Sequence, residues 1–280
     1  MSKLPVLDFY CHGQVKPEEL AEVRIILEET YSSLGNKRPL PDRVEVHLFE
    51  SAAKSLEYLN EQKKELGIST SGDEAFICTH DAWRGYPRLS VCLERLNALS
   101  PASRLGALSH EVAHSVLHGK PEYYAVRVPP DSVELANSRG INFTLLQQVL
   151  YYCAIAAKDF EVTRLLVDAG FSESQLAFVE TVFSPSEDDK LAWTVLKSNP
   201  QGKFFFFCSQ LKTLLLGIPL ETAGLTDLAG WNNRMLDYVT PNERQTWLDF
   251  ARDLSQHLGY DTLENILQVL RCVLQVSNVS

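Results

Sequence analysis

One run of residues constrains this 280-residue chain more than any other: Ser109-His110-Glu111-Val112-Ala113-His114-Ser115-Val116-Leu117-His118-Gly119. Read as a helix, it turns 100° per residue, so His110 and His114 lie about 40° apart and one turn apart, and both imidazoles reach one ion. Neutral imidazole nitrogens suit zinc, which in catalytic sites keeps one position open for water. Glu111 adjoins that face, where a carboxylate can take a proton from water attacking a carbonyl. The plainer alternative is a helix whose histidines only pack. Small apolar Val112 and Ala113 between them, a helix stop at Gly119 and a strand pair upstream favour the metal. The expected helix runs from about Ala102 to His118, with Gly119 as a left-handed C-cap.

A third ligand would define the class of site. Metzincins need Gly at position 117 and His at 120; this chain has Leu117 and Lys120, which excludes them. His118 lies two turns beyond His110, about 12 Å by helix rise, too far to join the same ion. It is expected to cap, to pack, or to stand near the site entrance. The better candidates are Asp159 and Glu161, on a later predicted helix. They lie about 200° apart around it, so one face offers only one of them. Asp159 shares its face with Tyr152, Ile155, Ala156, Val162 and Leu166, where an unpaired carboxylate is costly. Glu161 has Lys158 and Arg164 three positions away on either side, the spacing of ordinary ion pairs on a helix flank. Asp159 therefore ranks first and Glu161 second. Thr163, one turn beyond Asp159, is placed to hydrogen-bond a ligating histidine.

Around the motif the periodicity gives an α+β part followed by an all-α part, divided as residues 1–125 and 126–280. Helices are expected at about 17–33, 52–66, 143–169, 173–183, 187–197, 204–215, 243–257 and 262–276. Strands are expected at 43–49, 74–79 and 88–93, the last two antiparallel across the turn Gly85-Tyr86-Pro87. Val126–Asn137 reads as the connection between the parts. Apolar residues are 45% of the chain, enough for a sizeable core. A formal charge of −10 argues against nucleic acid or an anionic membrane as the main partner. No run reaches the roughly 20 apolar residues of a membrane span. Gln147 and Gln148 interrupt one candidate, and Lys212 splits the run from Phe204 to Leu216, so both are read as buried helices. Six scattered cysteines without a CxxC pair, and an N-terminus without a signal-peptide pattern, point to a reducing cytoplasm.

The residues Trp83-Arg84-Gly85-Tyr86-Pro87-Arg88, Val91-Cys92-Leu93-Glu94-Arg95, His110 through Gly119 and Lys158 through Leu166 carry a resemblance. Over roughly the middle third of its length the chain resembles gluzincin-type metallopeptidases, and is most similar to a little-characterised prokaryotic, largely archaeal, group of predicted metallopeptidases. The resemblance implies a zincin-like N-terminal part, with a small mixed or antiparallel sheet and the motif helix. It also implies Zn²⁺ held by His110, His114 and an acid from the segment containing Asp159 and Glu161, with Glu111 as general base. It further implies that Arg88–Leu93 is the edge strand above the cleft, to which an extended substrate adds. The sequence departs from the best-known gluzincin pattern, which has Glu at the ligand and Asp four residues later; here those positions are Asp159 and Thr163.

The expected activity is metal-assisted hydrolysis of a peptide or protein substrate. Two alternatives stand beside it: hydrolysis of a non-peptide amide or ester, and a catalytically silent protein that binds a partner through its helical C-terminal region. Tyr123 and Tyr124 follow the motif helix as candidate oxyanion donors, with packing as the simpler role. His80, Asp81 and Arg84 are candidates to line the cleft, with an ordinary polar turn as the alternative.

Overall fold

The computed structural model describes residues 3–67, 76–182 and 186–276. They divide into two units, Met1–Tyr124 with Asp168–Thr181, and Ala125–Val167 with Val182–Ser280.

The first unit is built on alternation. Strands β1 (Val6–His12), β2 (Arg43–Phe49), β3 (Cys78–Asp81) and β4 (Arg88–Cys92) form, among the described residues, one mixed sheet in the order β1-β2-β4-β3. β1 and β4 both pair parallel to β2, while β3 pairs antiparallel to β4. Because successive side chains alternate, the register sorts residues onto two faces. Val44, Val46, Leu48, Leu89 and Val91 share one face with Cys78 and His80; Glu45, His47, Phe49, Arg88 and Ser90 share the other with Asp81. Helix α2 (Ala52–Leu66) brings Tyr58 against His47 and Phe49 on that second face. The antiparallel β3–β4 pair is as expected, but Arg88–Leu93 is not the edge strand. β4 is flanked on both sides and buried along its length, and β3 takes the edge. The strand expected at 74–79 begins at Cys78; residues 74 and 75 lie outside the described residues. β1 was not foreseen.

Helix α4 (Pro101–His118) carries the motif. Ser100 caps it by accepting from the Ser103 N–H, and Pro101 takes the first position, where a missing donor costs nothing. The helix packs on α1 (Pro17–Leu34) and on β3 and β4. Its rotation is pinned by two buried hydroxyl pairs with α1, Ser109 to Thr30 at 3.1 Å and Ser115 to Tyr31 at 2.6 Å. Gly119 has φ −74°, so it is no left-handed cap. It is glycine for space: an added Cβ would stand 2.3 Å from the Ser115 carbonyl oxygen and 2.7 Å from Pro87. Between β4 and α4 lies the short helix α3 (Leu93–Leu96), and a 3-10 turn at Pro121–Tyr123 follows α4.

The second unit is helical. The stretch expected to be a connection contains α5 (Pro130–Ser138), which opens with proline at its first position. Next comes α6 (Phe143–Asp168), which leads into α7 (Ser172–Val182). Most of α7 belongs to the first unit, although the sequence assigned it to the helical part. Then follow α8 (Glu187–Leu196), α9 (Pro200–Thr222), α10 (Leu228–Met235), α11 (Pro241–Gln256) and α12 (Thr262–Gln275). α9 is longer than expected and is long and apolar enough, by composition, to cross a membrane, yet 67% of that apolar window is buried within the protein. Phe204 is buried, and Phe206 and Phe207 sit in an aromatic cluster with Trp193 and Trp247, as a core helix requires.

Candidate metal centre

The i, i+4 spacing on α4 sets His110 and His114 Nε2 atoms 3.2 Å apart. Their other nitrogens are held from behind. His110 Nδ1 lies 3.2 Å from Gln175 Oε1, and His114 Nδ1 lies 3.1 Å from His118 Nδ1. Gln175 is fully buried and donates from Nε2 to the Gly106 carbonyl at 2.7 Å, which fixes which end of its amide faces the histidine. That approach needs Gly106: an added Cβ would stand 2.1 Å from the Ser174 carbonyl oxygen. His118, fully buried, is therefore a support for His114 and not a cap, with the Tyr123 ring edge-on to it at 5.7 Å.

His110, His114 and Asp159 make a candidate ligand group, with His110 and Asp159 buried and His114 half-buried. The group could hold a metal ion. Within its own unit Asp159 is paired by Lys212, Nζ to Oδ2 at 3.5 Å. Glu161 is buried too and is no ordinary flank residue, though of its two expected ion-pair neighbours Lys158 does feel its charge. Its carboxylate accepts from Thr262 at 2.7 Å and from Asn265 at the start of α12. The cause is the arc between positions 159 and 161, which turns Glu161 toward α12. Arg164 turns from Glu161 to the Leu258 and Gly259 carbonyls. Burial lowers the Lys158 pKa, against the pull of Asp159 and Glu161. Thr163 does not serve a histidine: its hydroxyl is buried without a hydrogen-bond partner among the described residues.

Glu111 is 9% exposed. Cys78 and Tyr124 lie near enough to feel its charge. Burial first, then Glu111, pushes the Cys78 thiol up; burial, then Asp81 and Glu111, pushes the Tyr124 phenol up. Both stay protonated. The Tyr124 hydroxyl is 2.6 Å from His80 Nδ1, and the His80 ring stacks on His114 at 5.9 Å. Tyr124 and His80 thus border the centre, whereas Tyr123 packs on His118. Asp81 and Arg84 do not line it. Asp81 is on the opposite sheet face, paired with buried Arg88 at 2.8 Å, and Arg84 reaches Gln62 and Glu65 on α2.

Gln175 and Lys212 were missed. A lone cation inside the apolar run of α9 was a usable signal, because a buried helix asks for a counter-charge there. Gln175 carries no such signal, since nothing near it in sequence marks it. Compared with protein-family models, curated proteins and solved structures, the chain matches none.

Proposed function

We propose that this chain is a zinc-dependent metallohydrolase that cleaves peptide bonds, with the sheet and motif helix of its first unit in a zincin-like arrangement. The observation that carries this reading is the pair of Nε2 atoms 3.2 Å apart on the motif helix, with buried Asp159 as the proposed third ligand. Two nitrogens bound tetrahedrally to one zinc at about 2.0–2.1 Å stand about 3.3 Å apart, so the imidazoles fit with almost no movement. Two histidines and one carboxylate also make the three-ligand set of catalytic zinc sites, whereas structural sites take four protein ligands. When bound, zinc supplies Lewis acidity toward a carbonyl oxygen and makes water acidic enough to lose a proton near neutral pH.

His110, His114 and Asp159 would hold the ion. Glu111, the next residue along α4, takes the proton from the attacking water at its carboxylate and delivers it to the leaving amine. The neutral Tyr124 phenol and its partner His80 supply hydrogen bonding where negative charge develops on the substrate oxygen. Gln175 and His118 keep the two imidazoles aimed.

Purified protein is expected to hold about one zinc, and Glu111→Gln to keep it while losing about 10²–10⁴-fold in hydrolysis, the usual contribution of a general base. Wild-type protein that binds zinc but cleaves nothing across broad peptide libraries would overturn the peptidase reading.

A further inference from the structure

Each residue of β1 turns its backbone either toward β2 or away from it. The Val6 N–H donates to the Asp42 carbonyl at 2.9 Å, and the His12 carbonyl accepts from the Glu50 N–H at 3.0 Å. Ladder bonds fall on alternate residues of a strand, so Val6, Asp8, Tyr10 and His12 turn theirs to β2. Leu7, Phe9 and Cys11 turn theirs the other way, to a side where no strand pairs among the described residues. Native sheets protect such an edge with lysine, proline, a bulge or a very short strand. β1 has none of these. It runs for 7 residues in unbroken register with β2, and its one carboxylate, Asp8, is paired with Arg43. Leu4, Val6 and Tyr10 stand along this edge 41%, 53% and 41% exposed.

The open groups are symmetric about Phe9, because Leu7 and Cys11 lie two residues to either side of it. An antiparallel copy turned about Phe9 satisfies all of them. Phe9 exchanges both its bonds with Phe9 of the copy, and Leu7 exchanges both with Cys11 of the copy. The side chains agree with this register. Asp8 faces Tyr10 of the copy and Val6 faces His12, so no like charges are opposed. Sliding the copy by two residues spoils the match. One direction sets Asp8 against Asp8 and Cys11 against Pro5, which has no N–H; the other sets Leu7 against Gly13, beyond the end of the strand.

The geometry points to a homodimer built on this edge, in which the β1 strands of two copies pair antiparallel about Phe9 and the two sheets become one. It goes beyond the metal reading and does not depend on it. The open edge offers hydrogen bonds to any extended segment, but the fit of β1 to its own reverse selects a second copy as the occupant.

The test uses the full chain and sedimentation velocity across micromolar concentrations, where wild type is expected to be a dimer. Cys11→Pro removes an outward N–H and none that bonds β2, a place where an edge strand tolerates proline. It should keep the wild-type circular dichroism and dimerise about tenfold more weakly, as the loss of one donor from each copy requires. Leu7→Cys sets a new thiol beside Cys11 of the second copy, with Cα atoms about 5.5 Å apart and within disulfide range. Within one chain those two positions are about 14 Å apart and cannot bond, and Cys11 stands as far from Cys11 of the copy. Oxidised glutathione should therefore link Leu7→Cys into a covalent dimer and leave wild type unlinked. A wild type that stays monomeric, alone or with an extended peptide bound, overturns the inference. So does a folded Cys11→Pro that dimerises as wild type does, or a dimer in which Leu7→Cys forms no cross-link. If Cys11→Pro does not fold, the cross-link decides.

Discussion

Replacing Gly106 with alanine sets two effects of known sign against each other. Helix propensity alone favours alanine over glycine by about 1 kcal/mol in a helix interior. Against it, the new Cβ would stand 2.1 Å from the Ser174 carbonyl oxygen and 2.7 Å from the Phe178 Cβ. A backbone oxygen cannot swing aside as a long side chain does, so α7 has to retreat by about 0.9 Å to restore even a 3.0 Å contact. Overpacking of this kind costs about 1–3 kcal/mol. Gln175 follows Ser174 on the same helix, so its 3.2 Å contact with His110 stretches beyond hydrogen-bonding reach. A buried amide left short of a partner adds about 1–3 kcal/mol. The net expectation for Gly106→Ala is a loss of about 1–5 kcal/mol, each kcal/mol lowering Tm by roughly 3–4 °C for a unit of this size. Zinc affinity should fall with it. Urea and thermal unfolding read the first quantity, and chelator competition the second. A variant as stable as wild type, with unchanged zinc affinity, would show that α4 and α7 do not approach as described and that Gln175 does not hold His110.

Two further outcomes follow from the sheet face that carries no metal centre. Burial, with Arg88, His12 and Arg84 nearby, holds His47 at a pKa of about 3, and the Glu45 carboxylate at 3.5 Å does not offset this. The unfolded chain therefore takes this proton first as pH falls, so stability is full above about pH 6.5 and is lost toward pH 3; between pH 6 and pH 4 the loss is roughly 2–3 kcal/mol. His47→Phe should flatten the pH dependence of urea midpoints by that amount, and parallel wild-type and variant curves would refute it. The Asp81–Arg88 pair is the second case. Asp81→Leu leaves a buried guanidinium uncompensated and should cost about 3–5 kcal/mol, whereas adding Arg88→Met should restore part of that loss. Strict additivity in this double-mutant cycle would mean the two charges do not support one another.

What could be read in advance was local. His110 and His114 are four residues apart, so their convergence needs only a helix, and the burial of Asp159 follows from its place on an apolar helix face. The Asp81–Arg88 partnership and the inner position of β4 depend on strand order, which no short window encodes. β1 gave little warning because Val6 and Tyr10 leave much of their surface exposed, so its alternation is blurred. Glu161 looked like a flank residue because its true donors, Thr262 and Asn265, are about a hundred positions away in sequence. The helices α5 and α10 are short, and proline and glycine near them read as punctuation. Gly119 closes a helical pattern and so reads as a left-handed cap, whereas crowding by Ser115 and Pro87 is what requires glycine there.

The return of residues 168–181 to the first unit has a practical meaning. The backbone leaves that unit after Tyr124, comes back for a single helix and departs again, so neither unit is one continuous stretch of polypeptide. A fragment cut at Tyr124 would keep both motif histidines and lose Gln175, together with the Ala177 carbonyl that accepts from Ser103 and the Thr181 hydroxyl 3.0 Å from it. Shortened versions made for crystallisation or display should therefore carry the chain through at least Thr181, and a fluorescent tag or protease site is better spliced elsewhere than between α6 and α7.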